Sequence, residues 1–341
     1  MLGIDSVRSM LLARYDRRRF LRGAAAASAG GVAVLAVGCG SDTKAVPATT
    51  AAAGSTPASG ATAGSSASAS AITPSLLTQE FVAGENNRFS VGLVNASNKL
   101  VKGANVHLRF FTIGADGRTG SFRGEGDAGY VELTVPGAHT HDNSPQGAVI
   151  DDSVAFYVAN TPFDTAGKWG VEIGVTQSSG DPVTIQAPFA VRQASQSPGF
   201  GSTPPASRND TFATNPNTES LCSRSPACPL HDKVIGDVLG KGRPLVVIFS
   251  TPAFCQTRFC GPVLEVLLAQ APQYEDRVDF VHIEIWQDFQ LQKNRPAVDE
   301  WKLPGEPYTF FMDKTGKVVG KLESVFSGEE LTSALDQLAK L

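Results

Sequence analysis

Leu245-Val246-Val247-Ile248-Phe249-Ser250, followed by Thr251-Pro252-Ala253-Phe254-Cys255-Gln256-Thr257-Arg258-Phe259-Cys260-Gly261-Pro262, decides the fold of the carboxy-terminal part. The first run is apolar up to its last residue and has the length of a strand. It shows no inside–outside alternation, so it reads as a strand covered on both faces of a sheet. From Val263 to Ala271 the spacing becomes helical, with Val263, Val266, Leu267 and Leu268 apolar around Glu265. Cys255 and Cys260 therefore fall between a buried strand and a helix, at the carboxyl end of the strand, where α/β sheets hold reactive groups. A helix amino terminus carries about half a positive charge, which favours thiolate over thiol, and the thiolate is the nucleophile.

Downstream, Asp279–Ile285 reads as a second buried strand. Trp301–Val319 reads as a strand, a glycine turn and a returning strand, and Glu329–Leu341 as an amphipathic helix. This order resembles that of the thioredoxin superfamily over Pro244–Leu341. The resemblance implies Cys255 as the attacking cysteine and Cys260 as the resolving one. It also implies Pro307 as the cis proline that precedes a strand and lies against the dithiol. The spacing departs from the family: four residues separate the cysteines, where two are usual. Positions five apart in a regular helix are turned by about 140° beyond a full turn, with Cα atoms about 8–9 Å apart, outside the ~7 Å reach of a disulfide. A bridge thus requires a loop, with the helix expected to begin near Pro262, since proline is favoured at the first helical position.

The other cysteines are Cys39, Cys222 and Cys228. Four cysteines in one domain allow three pairings. The preferred pairs are 222–228, as a structural staple, and 255–260; Cys228 with His231 also permits a metal site. Residues 219–341 form the expected thioredoxin-like domain, preceded by a Ser/Pro/Asn-rich linker at 193–218.

Residues 76–192 carry short runs rich in branched and aromatic residues between turn signals, among them Arg88–Val94, Asn105–Phe111 and Trp169–Thr176. They fit an all-β sandwich and resemble the immunoglobulin-like type. His139 and His141, spaced as His-x-His, could supply half of a copper or zinc site. Pro136, Gly137, Asn143 and Pro145 around them favour a polar loop instead. His107 and Arg109 are expected on a solvent-facing strand surface, without function.

The amino terminus reads as a leader. Arg17-Arg18-Arg19-Phe20-Leu21-Arg22 resembles a twin-arginine export signal, and the apolar run to Gly38 is too short for a span of ~20 residues. Leu35-Ala36-Val37-Gly38-Cys39 resembles a bacterial lipoprotein cleavage site, with Cys39 as the lipidated residue, although Ala36 stands where leucine is usual. Residues 40–75 are small and almost uncharged, too poor in bulk to offset ordering entropy, and read as a disordered tether.

The net charge of -4 over 341 residues gives no electrostatic reason to expect nucleic acid as a partner. The leading expectation is a thiol–disulfide oxidoreductase anchored through Cys39 at the outer face of the cytoplasmic membrane. It acts on exported protein thiols or disulfides and uses no cofactor. Three alternatives stay open. One is a cell-surface binding module with purely structural disulfides. Another is a peroxiredoxin-like peroxidase, with Thr251 as its threonine, one position early. The last is a copper-handling assembly protein that pairs Cys255 and Cys260 with His282. Replacing Arg17 and Arg18 together by lysine is expected to block export. Cys39→Ala is expected to release the mature chain from the membrane, read by fractionation and by mass spectrometry of the attached lipid.

Overall fold

Between residues 72 and 192, branched and aromatic residues recur in short runs between turns, and the described part of this stretch builds sheet. The computed structural model describes residues 72–133, 154–255 and 259–341. Arg17, Arg18, Cys39, His139 and His141 lie outside them. β1 (Ile72–Leu76), β2 (Phe81–Val82), β3 (Asn86–Asn95), β4 (Asn105–Ile113), β5 (Thr119–Leu133), β6 (Val154–Pro162), β7 (Gly167–Thr176) and β8 (Val183–Arg192) form one curled sheet in the order β1-β3-β6-β5-β4-β7-β8-β2. Neighbours are antiparallel, except β2 beside β8. The long β5 makes the curl: residues up to Ala128 pair with β4, and those from Gly129 pair with β6. The curl folds Phe89 and Val91 of β3 into one core with Leu108 and Phe110 of β4 and Trp169 of β7. Edge-to-face rings knit this core, with Phe163 centred 4.9 Å from Trp169.

The expected tether ends earlier than residue 75, because Ile72–Leu76 pairs with β3 and Ile72 is buried. The expected linker at 193–218 is a packed strap. Ser197 Oγ donates to the buried Glu80 carboxylate at 3.1 Å, and Gly201 and Ser202 exchange backbone hydrogen bonds with Val318. A polar composition signals a linker when nothing faces it; here it satisfies a buried carboxylate and a sheet edge.

The second half contains α1 (Thr218–Leu221), α2 (Ile235–Val238), β9 (Leu245–Ser250), α3 (Cys260–Gln270), β10 (Asp279–Glu284), β11 (Trp286–Asp288), β12 (Lys293–Asn294), α4 (Pro296–Glu300), β13 (Tyr308–Met312), β14 (Val318–Glu323) and α5 (Gly328–Leu338). Its main sheet runs β10-β9-β13-β14, with β9 and β10 parallel and the other pairs antiparallel. Every residue of β9, β10 and β13 is buried. Val246, Ile248 and Phe311 pack on Val263, Leu267, Leu331 and Leu335 of α3 and α5. On the opposite face Val247, Phe249 and Phe310 meet Ile235, Val298 and Trp301. Among the described residues, no helix is long and apolar enough to cross a membrane.

The halves meet through polar contacts and shared core. Leu133 and Phe156 belong to the same cluster as Val325 and Phe326. Glu323 accepts from the backbone N–H groups of Gln79 and Glu80 at 3.0 and 3.1 Å. Arg88 donates to Glu330 at 2.7 Å and to the Val325 carbonyl at 2.9 Å. Glu330 also completes the capping box of α5 with Ser327. Arg88→Ala is expected to lower the unfolding free energy by about 1.5–3 kcal/mol, the usual cost of losing hydrogen bonds to a charged group, as read from urea denaturation.

Candidate active site

β9 ends at Ser250, and the chain leaves the sheet through a loop that carries Cys255. Thr251 is buried, whereas Phe254 is 38% exposed and stacks on Phe289 with ring centroids 4.6 Å apart. Trp286 meets Phe289 edge-on at 5.8 Å, so three aromatic rings adjoin at Phe254, the residue before Cys255 in the chain. α3 begins at Cys260 itself and not near Pro262 as expected; Pro262 is its third residue, where the missing N–H has no intrahelical partner to lose. The helix therefore presents the Cys260 N–H at its terminus, and that group donates to Cys255 Sγ at 3.3 Å. Only Cys255 lies in the loop.

Cys255 is half-buried and Cys260 fully buried. Their sulfurs and a Glu306 carboxylate oxygen all lie within 4.8 Å of one another. Glu306 is followed by buried Pro307 across a cis peptide bond, immediately before β13. The Glu306 carbonyl accepts from Gln79 Nε2 at 3.0 Å, and the Pro307 carbonyl from Ser324 N at 2.8 Å, which fix this segment against the dithiol. Burial pushes the Cys260 thiol well above its ordinary pKa; Cys255 and the Glu306 carboxylate raise it further, while the Thr251 backbone opposes them. Sequence reasoning named Cys255, Cys260 and Pro307 but gave Glu306 no role, because a carboxylate in a loop carries no signal until the fold sets it beside the sulfurs.

The staple expected between Cys222 and Cys228 is not formed. Both are free, buried thiols, and they face two imidazoles instead of each other alone. Cys222 Sγ, Cys228 Sγ and one ring nitrogen each of His231 and His282 lie within 4.8 Å of one another. The hydrogen bond from Cys228 pulls the Cys222 pKa down, and the same contact pushes Cys228 up. Burial lowers His231. For His282 burial works downward too, but the hydrogen bond and charge of Cys222 outweigh it and leave the pKa raised. His282 thus stands with the upstream pair. Among the described residues no imidazole joins Cys255, Cys260 and Glu306, so the described residues do not assemble the ligand set expected of a copper-handling protein. Thr251 Oγ1 is buried without a hydrogen-bond partner, so no contact ties it to the Cys255 sulfur as the peroxidase reading requires.

No known protein family and no curated protein matches the sequence. Among solved structures the chain is similar to MTB dsbF, determined in its mixed oxidized and reduced forms. Identity is 20%, over 32% of this chain and 88% of that one, with a TM-score of 0.24.

Only the thiolate is alkylated, so a raised pKa means slower reaction at neutral pH. In the reduced native chain Cys255 is expected to react with iodoacetamide at neutral pH. Cys260 is expected to stay unmodified until the pH passes well above the usual thiol range. Peptide mapping by mass spectrometry reads the order, and faster labelling of Cys260 would reverse the assignment.

Proposed function

We propose that the chain is a thiol–disulfide oxidoreductase with a thioredoxin-like carboxy-terminal domain, in which Cys255 attacks and Cys260 resolves. One observation carries this reading: a half-buried sulfur held by a helix-terminal N–H, backed by a fully buried second sulfur, with a carboxylate within 4.8 Å of both. A reactive thiol needs access and a positive local field, and its resolving partner needs protection; this pair divides those requirements.

In the reducing direction the Cys255 thiolate attacks one sulfur of a partner disulfide. A new S–S bond forms, the partner's S–S bond breaks, and the leaving sulfur departs as a thiolate that takes up a proton. Cys260 then gives up its proton and attacks Cys255 Sγ. The mixed disulfide breaks, the partner leaves with its second thiol, and the protein holds a 255–260 disulfide, having supplied two electrons. The same steps in reverse oxidise a dithiol. Glu306 takes the Cys260 proton, directly or through one water, which the high Cys260 pKa makes necessary. The exposed face of Phe254 and its stacked partner Phe289 give a partner polypeptide an apolar surface beside the attacking sulfur.

The rest of the proposal follows the sequence. Arg17 and Arg18 direct export, Cys39 anchors the chain at the outer face of the cytoplasmic membrane, and the eight-stranded sheet is an immunoglobulin-like sandwich that spaces or docks the redox domain. The partners are exported protein thiols or disulfides.

Cys260→Ser is expected to accumulate mixed disulfides with exported proteins, seen as reductant-sensitive bands, because attack survives and resolution is lost. Cys255→Ser is expected to capture little. If neither variant captures partners and both only lose about 2–4 kcal/mol of stability, the pair is a structural bridge and not a redox centre.

A further inference from the structure

We propose that Cys222, Cys228, His231 and His282 bind one zinc ion in a closed tetrahedral site, separate from the dithiol. The four side chains are almost fully buried: Cys228 and His282 are 0% exposed, Cys222 and His231 2%. His282 Nδ1 lies 3.7 Å from Cys222 Sγ, 3.3 Å from Cys228 Sγ and 3.0 Å from His231 Nε2. Around a tetrahedral zinc with bonds of about 2.3 Å to sulfur and about 2.0–2.1 Å to nitrogen, sulfur–nitrogen edges are about 3.5 Å and nitrogen–nitrogen edges about 3.3 Å. The observed separations lie within a few tenths of an ångström of those edges, so small side-chain shifts centre an ion.

The surroundings fit a ligand set as well. His282 Nε2 lies 3.1 Å from the Ser250 carbonyl, which only accepts, and 2.9 Å from Ser250 Oγ. The ring hydrogen therefore sits on Nε2, and in the neutral ring the Nδ1 lone pair points into the cluster, the arrangement that orients metal-bound histidines. Cys222 Sγ accepts the Cys228 backbone N–H at 3.5 Å. Two thiolates, two neutral imidazoles and a divalent cation sum to zero charge, whereas buried charges without a counter-ion are costly. Binding releases the two thiol protons to solvent. A cavity of about 270 Å³ lined in part by His231, His282, Glu284 and Arg295 reaches the cluster and gives the ion a route in. Two sulfurs and two nitrogens in tetrahedral array select zinc among common ions.

The ion would be structural. It ties the loop that holds Cys222 and Cys228 to the middle of β10. That loop in turn holds neighbouring elements: Ser223 N donates to Glu284 at 2.9 Å, and Ser223 Oγ accepts from Ala253 N, two residues before Cys255, at 3.1 Å. Arg224 pairs with Glu265 of α3.

The test is metal analysis of the full exported chain purified without chelators. One zinc per chain is expected, retained in Cys255→Ser and Cys260→Ser. In Cys222→Ser affinity should fall by about 100-fold or more, beyond the loss typical for an outer-shell residue. Cobalt(II) added to the metal-stripped reduced chain should give the visible bands of a tetrahedral thiolate site, and chelation should lower the melting temperature by several degrees. The cobalt titration needs only the unaltered sequence, so a folding failure in Cys222→Ser leaves the test intact. No zinc on purification and no uptake from zinc chloride would overturn the proposal. So would a Cys222–Cys228 disulfide in the exported chain.

Discussion

The parallel pairing of β9 with β10 is the constraint from which both sulfur sites follow. Its register runs from Leu245 opposite Asp279 to Ser250 opposite Glu284. The side chain and carbonyl of Ser250 therefore reach the ring of His282, two residues before the end of the neighbouring strand. On the other side of β9, Tyr308 pairs with Phe249, so the chain enters β13 at the same end of the sheet. Three segments converge there: the loop leaving β9 with Cys255, the end of β10 with His282 and Glu284, and Glu306-Pro307 before β13. A one-residue slip in a strand would invert its faces. β9 has no polar face to absorb such a slip; each of its apolar side chains contributes about 1.5–3 kcal/mol by burial, and both faces are already filled.

Those same strands were the legible part of the sequence. Leu245–Ser250 is apolar up to its last residue, and Asp279–Glu284 and Tyr308–Met312 carry aromatic and branched residues that mark strands without knowledge of their neighbours; all three are buried throughout. The amphipathic α5 shows its own period. β1 and the first part of β5 were not legible. Ile72-Thr73-Pro74-Ser75-Leu76 looks like the end of a tether, and Thr119–Gly129 is glycine-rich and largely exposed, so neither has the alternation that marks a half-buried strand. The short β11 and β12 are held by contacts between elements. The strap at 193–218 has a linker's composition, and only its partners Glu80 and Val318 make it structure.

The candidate sites divide the same way. Cys255 and Cys260 stand next to a readable strand, and Pro307 next to another. Glu306 and the four-residue cluster depend on approaches across long stretches of chain, from Cys222 to His282 above all. Two signals were present: the short spacing of Cys228 and His231, and a histidine in the middle of a strand buried on both faces, which must find polar partners, since an unsatisfied ring nitrogen there costs on the order of 1–3 kcal/mol. The sequence names the demand, and only the fold names Ser250, Cys222, Cys228 and His231 as its supply.

The unequal burial of the sulfurs has a consequence for which of them outside reagents can reach. Of the four described cysteines, three are shut inside and Cys255 alone is partly open to solvent. Among these described sulfurs, an oxidant, foreign thiol or unfolded neighbour approaching the folded protein can reach only Cys255. Scrambling among the three possible pairings requires the others to be uncovered first, so the native arrangement is guarded by the kinetics of opening as much as by bond strength.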